Sequence, residues 1–107
     1  MIDNKIINLE QEYLDMVKNI LSLALKDKNV KVYVFGSRVK GSVEKASDID
    51  LALDANGISL DYFFIANIKY RFQESGIPYS VDIVDLNKIS NDFRKCIRGD
   101  LVEIKYR

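Results

Sequence analysis

Histidine is absent from this chain, and cysteine occurs once, at Cys96. The first absence removes imidazole from acid–base catalysis and from metal ligation, so any bound metal must be a hard ion held by oxygens. The second excludes an internal disulfide and a cysteine-rich zinc site; Cys96 reads as an inert, partly buried thiol. Net charge is missing too. Sixteen Lys and Arg balance 16 Asp and Glu, so no global field draws the chain to nucleic acid or to an anionic membrane. No apolar run approaches the roughly 20 residues of a membrane span, and the first residues lack a signal-peptide pattern. The expectation is a cytoplasmic chain with no membrane association and no direct nucleic-acid binding.

What is present is ordinary in bulk and uneven in detail. A chain of 107 residues, 48% apolar and 30% charged, suits one domain spanning 1–107 with a single core. Residues 26–45 carry six basic and two acidic side chains, while 48–61 carry four Asp and no basic residue. Basic loops beside a carboxylate cluster would suit a triphosphate held with a metal; a normal solvated surface explains the charge pattern equally well. Leu9, Tyr13, Met16, Val17, Ile20 and Ala24 recur at helical spacing and predict a helix over about 8–26. Val30 to Phe35, Asp48 to Leu53 and Tyr79 to Val84 read as strands. A helix over about 60–74, capped by Ser59, carries the stripe Leu60, Phe64, Ile68 and Phe72, and Ser90 caps a short helix over 91–98. Residues 101–105 add a terminal strand. The alternation gives an α/β (α+β) domain with a small mixed sheet.

The chemistry gathers around Val34-Phe35-Gly36-Ser37-Arg38-Val39-Lys40-Gly41 and the later Ser47-Asp48-Ile49-Asp50-Leu51. A buried strand ends in Gly-Ser, and after a polar loop the next strand opens with two carboxylates one residue apart. Residues i and i+2 of a strand share a face, so Asp48 and Asp50 can converge on one or two Mg²⁺ ions. The competing account leaves one Asp in the loop and the other in solvent. At Gly36 the backbone can approach a ligand closely, and the Ser37 amide and hydroxyl can meet a phosphate oxygen; a plain turn is the alternative. The order of residues is neither that of a P-loop nor that of a dinucleotide fingerprint. Asp82 lies inside the apolar run Ser80-Val81-Asp82-Ile83-Val84, where a carboxylate is disfavoured unless paired or metal-bound. On a strand beside the second it would join Asp48 and Asp50, while Asp85 reads as a turn residue past the strand end.

Gly-Ser, ten residues, then Asp-x-Asp resembles the signature of the polymerase-beta-like nucleotidyltransferases, and above all of their minimal, MntA-like antitoxin members. The longer forms Gly-Ser-Arg-x-x-Gly and Ser-Asp-Ile-Asp-Leu are present in full, and Asp82 supplies the later apolar-Asp-apolar strand. The resemblance implies the polymerase-beta-like fold, with helices packed on the sheet face away from the site. It implies ATP held by the Gly36-Ser37 turn, and Asp48, Asp50 and Asp82 as catalytic and metal-binding carboxylates for two Mg²⁺ ions, with Mn²⁺ as a substitute. Asp82 would help activate the attacking hydroxyl. A two-metal clamp requires the three carboxyls within roughly 3–6 Å of one another.

The resemblance further implies Mg-dependent transfer of AMP from ATP to a hydroxyl, namely a tyrosine of a helical HEPN-type toxin encoded nearby. The alternatives are a catalytically silent module that neutralises its partner stoichiometrically, and transfer to a small-molecule hydroxyl. Arg38 and Lys40 could meet the β- and γ-phosphates or serve as rim charge, and Lys45 is a weaker candidate of the same kind. Tyr33, Phe35, Phe63, Phe64 and Phe72 read as core or helix-packing residues, since base stacking comes with a basic groove. A docking patch is expected beside the carboxylates in 54–64 and 86–95, with Leu60, Phe63 and the segment from Asn87 to Phe93 as candidates. Self-association into a homo-oligomer would use the same surface.

Overall fold

The computed structural model describes residues 6–40, excepting the Lys40 side chain, and 48–107. The elements run α1 (Gln11–Ala24), β1 (Lys31–Phe35), α2 (Ser37–Lys40), β2 (Ile49–Asp54), α3 (Tyr62–Gln73), β3 (Val81–Asp85), α4 (Asn91–Ile97) and β4 (Val102–Ile104), with a 3₁₀ turn over Arg98–Asp100. The strands lie in the order β3-β2-β1-β4. β1 is antiparallel to β2 and β4, whereas β2 and β3 are parallel. Parallel neighbours need a crossover, and α3 supplies it. The mixed α/β sheet expected from the sequence is therefore present.

Alternation along the strands sorts the two faces. Val32 and Val34 of β1, Ile49, Leu51 and Leu53 of β2 and Ile83 of β3 meet Val17, Leu21 and Leu25 from α1 and its end, and Ile68 and Phe72 from α3. Val17 and Leu21 are four apart, as are Ile68 and Phe72, so each helix offers one continuous stripe. At about 25 cal/mol per Å² of apolar area removed from water, this layer dominates the stability. The opposite face is thinner: Phe35, Ala52, Leu86 and Ile97 form a second cluster, edged by Tyr33, Val84, Ile89 and Leu101. The two long helices occupy the face expected of them, but α4 lies on the other, through Ile97.

Four local expectations are corrected. Helix α3 is capped by Asp61, whose side chain accepts from Phe63 N, not by Ser59. Its start is delayed because the segment before it is held elsewhere: Leu60 N donates to Asp85 Oδ2 at 2.6 Å. Asp85 does not lie past the strand end: it is the last residue of β3, buried, and opens the turn that follows, where Lys88 N donates to Asp85 O at 2.9 Å. Phe63 is 75% exposed, whereas Leu60 joins the core. Cys96 is exposed, since it neighbours the buried Ile97 and so faces away from the sheet. Among the described residues no helix is long and apolar enough to cross a membrane.

Candidate active site

β2 is the strand on which the site is organised. Its inward face carries Ile49, Leu51 and Leu53, so Asp50 must project from the other face, where the described residues form the thin second cluster. In the sheet register Asp50 stands opposite Phe35 of β1 and beside Asp82 of β3. Ile49 N donates to Ser80 O at 2.9 Å, which ties the starts of β2 and β3 together. The face of β3 alternates in step: Ile83 is buried and Asp82 is exposed. Asp82 tolerates its place in an apolar strand because β3 is a sheet edge. Asp48 lies just before β2 and is exposed.

Phe35 leads straight into Gly36, which turns the chain at φ 78°. A Cβ at this position would lie 2.5 Å from Asp50 Oδ2 and 3.4 Å from its carboxyl carbon. The carboxylate thus lies in space that only glycine leaves free. Val39 N then donates to Gly36 O at 3.1 Å, closing the turn into α2, which Ser37 begins. Asp50 is half-buried between this turn and β3. Burial, and after it the charges of Asp82 and Asp48, push its carboxyl above the ordinary Asp range. That is how a carboxylate behaves when it is crowded by its own kind and stripped of water.

An all-oxygen donor set of this kind suits a hard divalent cation. Asp50 and Asp82 are partners in the parallel register, with Asp48 two residues upstream of Asp50. Among the described residues, no group of three or more acidic, Cys or His side chains is gathered at metal-holding spacing. The close trio of carboxyls expected from the sequence is therefore not drawn together. Mutual repulsion favours the open arrangement, and Asp48 and Asp82 are free to turn to water.

Of the basic candidates, Arg38 is buried, with its guanidinium turned to Asn8 and to the ring of Tyr79. The Lys40 side chain, Gly41, Lys45 and Ser47 lie outside the described residues. Residues 54–64 do not flank the carboxylates, because Asp54 pairs with Lys31 at the far end of β2. The exposed Ile58, Tyr62 and Phe63 belong to that far end, as does a cavity of about 390 Å³ lined by Lys28, Ala55, Ile58, Leu60 and Phe64. From 86–95, Phe93 reaches the site face: its ring meets Phe35 edge-on at 6.2 Å and is 39% exposed. Sequence reasoning missed Asn8, Glu10, Tyr79 and the buried role of Asp85. Only Asp85 left a local signal, since Asp-x-Asn lets the Asp side chain accept from the amide two residues on, as Asn87 N does here at 2.9 Å.

The family model described as Polymerase beta, Nucleotidyltransferase matches residues 17–105, the stretch that contains every element of the site. The chain belongs to the polymerase beta nucleotidyltransferase family. A Haemophilus influenzae protein named "Probable protein adenylyltransferase MntA" is 39% identical over 99 residues, covering 92% of this chain and 84% of its own. The chain is thus an MntA-like nucleotidyltransferase. Among solved structures, a toxin–antitoxin with AMP-PNP matches at a TM-score of 0.65 and 26% identity, over 80% of this chain and 70% of that one. A tri-AMPylated Shewanella oneidensis HEPN toxin in complex with its MNT antitoxin matches at a TM-score of 0.61 and 24% identity, over 84% and 70%. The last likeness carries the fold alone.

Proposed function

We propose that this nucleotidyltransferase moves AMP from ATP to a tyrosine hydroxyl of a helical HEPN-type partner protein encoded nearby, and so silences that partner. One observation carries the reading: Asp50 stands in register with Asp82 on one side and, on the other, with the residue that leads into Gly36-Ser37. A phosphate-approaching turn and a pair of carboxylates thereby meet at one sheet end. The likeness to MntA supports protein as the acceptor.

In this reading Asp48, Asp50 and Asp82 would hold Mg²⁺, with Mn²⁺ as a substitute. When bound, the metal neutralises phosphate charge and eases deprotonation of the acceptor. The chain's own residues do the rest. Gly36 lets the backbone approach the triphosphate, and Ser37 donates its amide and hydroxyl to phosphate oxygens. Asp82, on the open edge, faces the incoming hydroxyl and takes its proton. The acceptor oxygen bonds to the α-phosphorus as the bond to pyrophosphate breaks in line. Phe93 flanks the approach and offers an aromatic rim on which the partner docks.

The test is to incubate the full chain and the partner with labelled ATP and Mg²⁺, followed by mass spectrometry. AMP on a partner tyrosine, lost in Asp50→Asn, is the expected result. Tight complex formation and toxin inhibition without adduct, unchanged in that variant, would instead establish a stoichiometric binding module. Adduct on a small-molecule hydroxyl alone would move the acceptor to that class.

A further inference from the structure

Arg38 directly follows the Gly36-Ser37 turn, yet only 3% of it is exposed. Its Nη1 donates to Asn8 O at 3.0 Å, while Asn8 N donates to Arg38 O at 2.6 Å. Residues 8 and 38 therefore grip each other in both directions. The guanidinium carbon stands 4.2 Å from the centre of the Tyr79 ring. That ring is itself fixed: its hydroxyl donates to Glu10 Oε2 at 2.6 Å, and Tyr13 meets it edge-on at 5.7 Å. Helix α2 has only four residues, too few to hold its own geometry. Its orientation must come from outside contacts, and Arg38 joins it to the segment before α1 and to the approach of β3.

We propose that Arg38 is a positioning residue. Through Asn8 and Tyr79 it fixes α2, and with it the Gly36-Ser37 backbone above Asp50, and it does not itself meet the phosphates. This rests on the reading that the turn holds a triphosphate. Arginine suits the task because its planar face stacks on a ring while its edge still donates hydrogen bonds; lysine carries the charge without the plane. The same contact links the N-terminal segment to the site, so a change at Asn8 or Tyr79 reaches the nucleotide without touching it.

The experiment uses the full chain, with AMP-PNP and Mg²⁺ as the probe for calorimetry, and follows the Gly36 and Ser37 amides by NMR. Arg38→Lys keeps the charge and loses the stack; Tyr79→Leu removes the platform and leaves Arg38 in place. Each is expected to weaken binding roughly tenfold or more and to shift both amide resonances in the free protein. The double variant should bind no worse than Arg38→Lys alone, because the contact between Arg38 and the Tyr79 ring is already lost in that single variant. Tyr79→Phe keeps the ring but loses the hydroxyl's bond to Glu10, and should bind better than Tyr79→Leu. In transfer assays KM for ATP should rise while kcat at saturation stays near the parent's.

Parent-like binding by Arg38→Lys together with weak binding by Arg38→Met would show that charge alone matters, and would overturn the positioning role. Additive losses in the double variant would do the same. Should Arg38→Lys fail to fold by circular dichroism, Tyr79→Leu against Tyr79→Phe decides alone, and equal binding by those two overturns the proposal. Ser37→Ala and Asp50→Asn are the references. If neither alters Mg-dependent binding, the triphosphate site itself is refuted and this inference with it; if they do and the Arg38 and Tyr79 variants do not, only this inference fails.

Discussion

Replacing Gly36 with Ala should separate stability from catalysis. At φ 78° an L-residue adopts the left-handed region, at a cost of about 1–2 kcal/mol. The new Cβ would also lie 2.5 Å from Asp50 Oδ2, so that oxygen must retreat by roughly 1 Å to reach ordinary contact. The obstruction is the end of a side chain, not backbone, and Asp50 can relieve it by leaving its rotamer for about 0.5–1.5 kcal/mol. The total, about 1.5–3.5 kcal/mol, leaves a folded protein whose central carboxylate has moved. A displacement of that size costs about 100-fold in rate. Urea unfolding measures the first number and initial rates of AMP transfer the second. In an Asp50→Ala background the penalty of Gly36→Ala should fall to its left-handed part alone, giving a coupling of about 0.5–1.5 kcal/mol. Transfer by Gly36→Ala within about threefold of the parent, at the expected stability loss, would refute the claim that Gly36 sets the place of Asp50.

The other expectations concern the carboxylates one at a time. Burial, then Asp82 and Asp48, raise the Asp50 pKa in the folded state, so the native protein holds this proton more tightly than the unfolded chain does. Its contribution to stability is present below the unfolded Asp value, 3.8, and is lost as pH rises through the folded value. Thermal melts should therefore show Asp50→Asn gaining on the parent as pH rises across that window; a constant difference would contradict the crowding. Asp85 accepts from Leu60 N and Asn87 N while buried, so Asp85→Ala should cost about 2–4 kcal/mol in urea unfolding. A loss under about 0.5 kcal/mol would mean that both amides find water instead. Asp82→Asn, at an exposed edge, should leave stability within about 0.5 kcal/mol yet abolish transfer and weaken Mn²⁺ binding in the presence of AMP-PNP. Retained transfer would remove Asp82 from the mechanism.

Local pattern made the architecture legible, and long-range contact blurred its edges. Apolar runs located β1, β2 and β3; the recurrence of Leu9, Tyr13, Met16, Val17, Ile20 and Ala24 located α1, although it passed over the fully buried Leu21; and Phe64, Ile68 and Phe72 located α3. Ser90 caps α4 as its spacing predicted. The start of α3 was illegible because Ser59 and Asp61 are both good caps, and the choice between them is made by Asp85, 25 residues from Leu60. Asp82 and Asp85 read alike as carboxylates near the end of an apolar strand. They differ because side chains alternate across a sheet: Asp82 falls on the open face and Asp85 beneath the β2–α3 segment. The Gly36-Ser37 and Asp48-Ile49-Asp50 spacing named the residues around the site, but not that Gly36 and Asp50 touch. Nor could spacing show that Arg38 turns inward, since its partners Asn8 and Tyr79 lie 30 and 41 residues away.

The two ends of the β2–β3 pair serve different purposes. In open α/β sheets, ligands gather beyond the C-terminal ends of parallel strands. In this chain that end is tied down: Asp85 accepts from Leu60 N and Asn87 N, and the Asn87 side chain donates to Ile58 O. The candidate site lies at the N-terminal ends instead, because antiparallel pairing brings the C-terminal end of β1, and so the Gly36 turn, against the start of β2. A purely parallel sheet would place that turn at the far end of its neighbour. The reversal at β1 and β2 is therefore what sets a glycine turn over a carboxylate pair, and Asp85 at the other end fastens the segments that leave β2 and β3, through the Leu60 and Asn87 amides. Loss of the Asp85 clamp should for this reason depress transfer as well as stability, although Asp85 lies three residues along β3 from Asp82 and on the opposite face.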